Sequence, residues 1–207
     1  MLVDRSVRDL LAAFGSNDPT PGGGSASALA SAVGASLLMM VAGLPKTRAG
    51  SDEDQAALQA ATQALSGLRQ SLTEAIDADT AAYESVVAAY RMPKASVEEQ
   101  QERKRAIQRA LGGATEVPLG VMRLSAQALE QAAVVAAHGN RAAASDVGVA
   151  AALLRAGATG ARLNVETNLE GIGDEGYRET ARAGVRGLTE AVDRSYLAVG
   201  VSLKVSV

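Results

Sequence analysis

Residues 19–44 read PTPGGGSASALASAVGASLLMMVAGL, and they carry the clearest indication of the fold. Its first part holds two prolines and three glycines, which predict a tight loop without large side chains rather than a helix. Ser25 then suits the N-cap position of a helix over residues 26–44. Because that helix carries no charged residue, it has no face suited to water. We therefore expect other helices to bury it on all sides.

A membrane span is the alternative for residues 26–44, because their number is close to what a bilayer requires. The stretch is rich in Ala, Ser and Gly and has no aromatic residues at its ends, unlike most spanning helices. We therefore expect no membrane association. Ser27, Ser31 and Ala35 recur every four residues, and this row of small side chains predicts a second helix packed very close to the first.

The rest of the chain shows helical periodicity and turn signals, with no confident strand. No linker or internal repeat divides it, so residues 1–207 are predicted to form one all-α domain. Ser145 is the expected N-cap of the helix that follows it, and His138 is the expected last residue of the helix before. The predicted helices, besides the uncharged one, cover residues 6–14, 52–90, 97–111, 116–138, 145–169 and 175–201.

The composition excludes several classes of protein. Aromatic residues make up only 2% of the chain, and a core of Ala and Gly favours close-packed helices over sheets. A net charge of -3 with both signs interspersed argues against a nucleic-acid partner. The absence of Cys and the single His138 argue against a metal site of thiolates or several histidines. The N-terminal residues lack the pattern of a targeting segment, so we expect a cytoplasmic protein.

Asp79 stands out because it interrupts an apolar row. Leucines and a valine at seven-residue intervals, Leu58, Leu65, Leu72 and Val86, predict one buried helix face, and Asp79 occupies the same row. A carboxylate there loses water unless it is paired, and such groups are often functional. A structural acid satisfied by an arginine or a backbone amide is the equal alternative.

A second set of polar residues lies on the predicted helix that begins near Ser145. Asp146 is at its start, and Asn164 and Asn168 share one face near its end. At 1.5 Å per residue, about 27 Å separates Asp146 from Asn164, so they could touch different ends of a long ligand or belong to different sites. A dipole-stabilising acid and interhelical hydrogen bonds are the structural alternatives.

Several stretches, in this order, resemble the cyclodeaminase/cyclohydrolase family. That family includes the C-terminal domain of formiminotransferase-cyclodeaminase and stand-alone methenyltetrahydrofolate cyclohydrolases. The resemblance covers nearly the whole chain. It rests on Pro19 to Ala26, Asp77 to Lys94, Glu116-Val117-Pro118, Gly139-Asn140 with Ser145-Asp146, and Leu163 to Asp174.

The resemblance implies a multihelical bundle with a central buried helix, a homodimer, and a tetrahydrofolate derivative bound near the glycine loop without any further cofactor. Asp146 and Asp79 match the family's two acids, and Asp146 is the favoured acid or base. The expected substrate-binding residues are Pro21, Gly22, Gly23, Gly24, Ser25, Asn140, Ser145, Asn164 and Asn168.

Three functions remain open from the sequence. A methenyltetrahydrofolate cyclohydrolase is favoured slightly over a formiminotetrahydrofolate cyclodeaminase, because the chain has no formiminotransferase domain to supply the formimino substrate. A non-catalytic folate-binding or scaffold protein is the third possibility. It is suggested by Pro45 to Arg48, where family members commonly have Asn-Leu-Thr and a lysine-rich run.

Overall fold

The computed structural model describes residues 1–45 and 50–204, and within these ranges it contains helices and no strand. This confirms the predicted all-α bundle. A short 3-10 turn over Leu2–Asp4 precedes the first helix, and another over Arg141–Ala143 precedes the fifth. The helices are α1 (Val7–Phe14), α2 (Gly23–Gly43), α3 (Asp52–Arg91), α4 (Val97–His138), α5 (Ala144–Leu169) and α6 (Glu175–Leu203).

Helix α2 lies at the centre of the bundle, where it packs against α3, α5 and part of α4. Its inward residues, such as Ala28, Ala35 and Leu38, are fully buried. The prediction that other helices bury α2 on all sides is wrong, because Val33 and Met40 are each 42% exposed. Among the described residues, α2 is also the one helix whose length and apolar composition would suffice to cross a membrane.

Helix α5 lies in close contact with α2, which confirms the second helix predicted from the row of small residues. A Cβ atom added at Gly157 would lie 2.6 Å from the Ser27 carbonyl oxygen and closer still to the Ser31 hydroxyl. One added at Gly34, further along α2, would lie 2.8 Å from the carbonyl of Ala150. The two helices therefore run antiparallel, with backbone against backbone, and larger side chains would force them apart.

Helix α4 is continuous from Val97 to His138, so the prediction of two helices with a break between residues 111 and 116 was wrong. Gly112, Gly113 and Pro118 are all poor helix formers, which is why the sequence favoured a break. Packing against α3, α5 and α6 overrides those local preferences. The prediction that His138 ends this helix is confirmed.

Two predicted caps are corrected by the structure. Gly22, not Ser25, is the N-cap of α2, and Ala143, not Ser145, is the N-cap of α5. Neither Gly22 nor Ala143 has a side chain that can accept a hydrogen bond from an amide of its own helix. In α2 an acid from another helix takes that role, and the candidate site is built around it.

Candidate functional site

A cavity of about 330 Å³ lies where the glycine loop meets α3, α4 and α5. The loop and the first turn of α2 form one wall, and the facing sides of the other three helices form the rest. The lining residues are Pro19, Thr20, Gly22, Gly23, Gly24, Asp79, Ala82, Tyr83, Val86, Ala114, Asn164, Thr167 and Asn168. Residues more than 140 positions apart in sequence thus meet in one place.

Asp79 caps the N-terminus of α2 from the neighbouring helix. Its Oδ2 accepts a hydrogen bond from the Ser25 amide at 2.8 Å and from the Ser25 hydroxyl at 3.1 Å. Among the described residues, nothing donates to Oδ1. One oxygen is therefore fixed by the backbone and the helix dipole, while the other remains available to a ligand in the cavity.

Burial shifts the titration of this acid. Loss of water raises the pKa of Asp79 above its usual value, and the two hydrogen bonds from Ser25 oppose that shift without cancelling it. An acid whose pKa is raised toward the working pH is suited to accept and return a proton.

Gly24 makes this arrangement possible. A Cβ atom at position 24 would lie 2.7 Å from Asp79 Oδ2 and closer still to Oδ1 and Cγ. Gly23 is less restricted, because its Cβ would meet the Asn164 amide nitrogen at 3.5 Å, an ordinary contact. Of the three loop glycines, Gly24 is the one that the carboxylate requires.

The two asparagines that α5 contributes to the cavity use their amino groups within the protein. Asn164 Nδ2 donates to the carbonyl of Gly160 at 2.9 Å, one turn back in α5. Asn168 Nδ2 donates to the carbonyl of Ala114 in α4 at 2.7 Å. No described residue donates to the side-chain oxygen of either asparagine, so each retains an acceptor at the cavity.

Two open grooves extend from the cavity along the C-terminal half of α3. One, of about 540 Å³, shares Pro19, Thr20 and Tyr83 with the cavity and reaches Arg91. The other, of about 670 Å³, continues past Ala82 and Ala114 between α3 and α4, and it reaches Arg109. Arg109 pairs with Glu102 at 2.8 Å, whereas Arg91 has no ion-pair or hydrogen-bond partner among the described residues.

The structure divides the predicted site residues into two groups. Asp79, Gly22, Gly23, Gly24, Asn164 and Asn168 line the cavity, Ser25 lies buried behind Asp79, and Pro21 is buried in the loop. Asn140, Ser145 and Asp146 lie at the opposite end of α5. Asp146 and Asn164 are 18 positions apart, so about 27 Å of helix separates them and Asp146 does not share this cavity.

The second group has a separate setting. Asn140 accepts a hydrogen bond from the Ala142 amide at 2.9 Å and donates to the Pro45 carbonyl at 2.7 Å, which orders the turn before α5. It borders a small pocket of about 170 Å³ that also contains Arg141 and Lys204. Ser145 is exposed and Asp146 half-buried. Lys46 to Arg48, where the sequence departs from the family pattern, lie outside the described residues.

Sequence reasoning missed the apolar and hydroxyl lining of the cavity: Thr20, Ala82, Tyr83, Val86, Ala114 and Thr167. Tyr83 had a usable signal, because it lies one helical turn after Asp79 and therefore on the same face of α3. It is 41% exposed although it borders the cavity. Ala114 had no signal in the sequence. Among the described residues, no group of three acidic or histidine side chains could hold a metal ion.

Comparison with known proteins agrees with the predicted resemblance. Residues 6–187 match the family described as formiminotransferase-cyclodeaminase. The chain belongs to this family. It is 37% identical to a methenyltetrahydrofolate cyclohydrolase from Methylorubrum extorquens, over 91% of this chain and 90% of that protein.

Two further family members differ in how much of their length is matched. The rat formimidoyltransferase-cyclodeaminase is 32% identical over 96% of this chain, which spans only 37% of the rat protein. The crystal structure of a formiminotetrahydrofolate cyclodeaminase from Thermotoga maritima superposes with a TM-score of 0.88 at 26% identity, covering 99% of this chain and 98% of that one. The fold is thus shared along nearly the whole chain.

Proposed function

We propose that this protein is an enzyme that transforms a one-carbon derivative of tetrahydrofolate, and that it is a methenyltetrahydrofolate cyclohydrolase. The observation that carries the proposal is Asp79, held through Oδ2 at the wall of the cavity with Oδ1 free. The similarity to the Methylorubrum cyclohydrolase along nearly the full length of both proteins favours this reaction.

In the proposed reaction, water attacks the methenyl carbon that bridges N5 and N10. Asp79 Oδ1 orients the water and accepts a proton as the carbon–oxygen bond forms, and its negative charge stabilises the cationic bridge. Asp79 then returns this proton to N5 as the bond from carbon to N5 breaks, and the hydroxyl of the intermediate loses its proton to solvent, which leaves a formyl group on N10. One proton is released for each water consumed. The reaction needs no further cofactor.

Cyclodeamination is the second candidate, favoured by the similarity in shape to the Thermotoga cyclodeaminase. There N10 attacks the formimino carbon on N5. The proton of N10 and one from solvent reach the departing nitrogen, which leaves as ammonia. The same carboxylate oxygen would carry the proton between the two nitrogens, so the geometry of Asp79 serves either reaction.

The grooves accommodate the rest of a long substrate. With the one-carbon unit beside Asp79, the aminobenzoyl portion lies against the apolar side of α3, near Tyr83 and Val86. The glutamate carboxylates then reach Arg91, whose guanidinium has no protein partner among the described residues. This placement uses the elongated shape of folate and matches its negative end with a positive side chain.

We also propose a cytoplasmic homodimer that does not associate with membranes. The support for the dimer is an apolar surface on α2 and α5, where Val33, Met40, Val149 and Leu163 are between 42% and 53% exposed. A second copy of the chain would remove this surface from water.

Incubation of the purified protein with each folate tests the proposed function. With methenyltetrahydrofolate we expect the methenyl absorbance to disappear faster than in buffer alone. With formiminotetrahydrofolate we expect no rise in methenyl absorbance and no ammonia. The opposite pattern would establish the cyclodeaminase, and folate binding without turnover of either compound would leave a binding protein.

A further inference from the structure

Helix α4 breaks its own hydrogen-bond pattern beside the cavity. Pro118 is buried inside this helix and has no amide hydrogen, so the carbonyl of Ala114, four residues earlier, lacks its helical donor. A proline in a helix interior destabilises it, and Gly112 and Gly113 weaken the preceding turn further. Such local violations are expected where function requires them.

Asn168 from α5 supplies the missing donor. Its Nδ2 lies 2.7 Å from the Ala114 carbonyl oxygen, and Ala114 and Asn168 both line the cavity that contains Asp79. The helical hydrogen bond that α4 lacks is therefore missing at the cavity wall. With Nδ2 engaged in this way, Oδ1 is the remaining polar atom of the Asn168 side chain, and no described residue donates to it.

Asn164 provides an internal comparison, because it lies one turn earlier on the same face of α5. Its Nδ2 donates to Gly160 within its own helix and needs nothing from α4. The amino group of Asn168, in contrast, binds a carbonyl of another helix whose helical donor is missing because residue 118 is a proline. An ordinary residue at 118 would donate its amide to that carbonyl and draw it back toward the helix axis.

We infer that Pro118 is a positioning residue for the substrate: through the carbonyl of Ala114 it fixes the Asn168 side chain, whose Oδ1 accepts a hydrogen bond from an N–H group of the folate. This inference rests on the proposed function. It assigns the α5 side of the cavity the task of orienting the substrate, while Asp79 performs the chemistry.

The test uses Pro118→Ala, Asn168→Ala and the double variant, with Gly120→Ala as the matched control. A Cβ at Gly120 meets nothing within 4 Å, so the control improves helix propensity in α4 without touching the cavity. We expect Pro118→Ala to fold with equal or higher Tm and to raise KM about three- to ten-fold, as for a lost hydrogen bond, with a smaller change in kcat. Asn168→Ala should raise KM by a similar factor, the double variant no further, and Gly120→Ala not at all.

A readout without folate separates this inference from the proposed function. The side-chain amide signals of Asn168, assigned by their absence in Asn168→Ala, should show slow hydrogen exchange in the wild type and faster exchange in Pro118→Ala. Unchanged exchange, an unchanged KM in Pro118→Ala, or additive effects in the double variant would overturn the inference while leaving an active enzyme. A wild-type protein that neither binds nor converts folate would refute the proposed function and, with it, the role of Asn168 toward the substrate.

Discussion

Gly24→Ala is the smallest change that should disable the proposed site. The new Cβ would lie 2.7 Å from Asp79 Oδ2, whereas ordinary contact begins at 3.4 Å. The carboxylate must therefore retreat by roughly 0.7 Å or more, which breaks the 2.8 Å hydrogen bond from the Ser25 amide. Because a misplacement of about 1 Å can reduce a rate about 100-fold, we expect kcat/KM to fall by about that factor.

The expected loss of stability is small by comparison. Losing a hydrogen bond to a charged group costs about 1.5–3 kcal/mol, and replacing Gly by Ala inside a helix returns up to about 1 kcal/mol. The free energy of unfolding should therefore fall by about 0.5–3 kcal/mol, so the variant should remain folded at assay temperature. Urea denaturation and methenyl absorbance measure the two effects separately.

Gly67→Ala is the control, because Gly67 is exposed on α3 and its Cβ would meet nothing within 4 Å. It should gain up to about 1 kcal/mol of stability and keep its activity. If Gly24→Ala retained wild-type kcat/KM, the position of the Asp79 carboxylate would be irrelevant to turnover, and the reasoning about the site would be refuted.

Three further predictions concern the tail of the substrate, the dimer and the titration of Asp79. Arg91→Ala should raise KM about two- to five-fold and leave kcat unchanged, as for an exposed ion pair; an unchanged KM would remove Arg91 from the site. Met40→Glu should convert a dimer to a monomer in light scattering, because it places a charge on the exposed side of α2; a dimeric variant would locate the interface elsewhere. Since burial raises the pKa of Asp79, the contribution of this group to stability is full below its unfolded pKa and declines as pH rises through the higher folded value. The unfolding free energy of Asp79→Asn relative to the wild type should therefore increase as the pH rises above about 4, and urea titrations that show a flat or falling difference would contradict the raised pKa.

The sequence predicted most of the helices because their signals are local. Residues 26–44 have no charge and lie between a glycine-rich loop and Pro45, so a central helix follows from composition alone. The row of Ser27 and Ser31 predicted a close neighbour, although only the structure shows that Gly157 in α5 provides it. What a pattern cannot reveal is how far neighbours cover a helix, which is why the exposure of Met40 was missed.

The caps and the break in α4 were mispredicted because tertiary contacts decide them. Ser25 has the residue type of an N-cap, but its amide is instead bound by a carboxylate 54 positions later in sequence. Pro118 and the two glycines before it indicate a helix break by propensity, yet α4 continues because it packs against α3, α5 and α6, and Asn168 satisfies the carbonyl that the proline leaves without a helical donor. Neither partner is identifiable from local sequence.

The candidate site was predicted in part. Asp79 was identified by its place in an apolar row, and the structure brings it together with the glycine loop and both asparagines. Asp146 was the favoured acid or base because of the family resemblance and its position at a helix start. Neither feature indicates how far Asp146 lies from the glycine loop. The length of α5 separates Asp146 from the cavity, so the structure favours Asp79 as the acid in contact with substrate.

The two acids permit a direct test of the central claim, that Asp79 carries the proton in folate turnover. Asp79→Asn and Asp146→Asn make the same chemical change, each removing one carboxylate charge while keeping the size of the side chain. In methenyltetrahydrofolate hydrolysis we expect kcat to fall about 10²- to 10⁴-fold in Asp79→Asn, the usual range for loss of a general acid or base, and to stay within about two-fold of wild type in Asp146→Asn. A large loss in Asp146→Asn together with near wild-type kcat in Asp79→Asn would contradict the account.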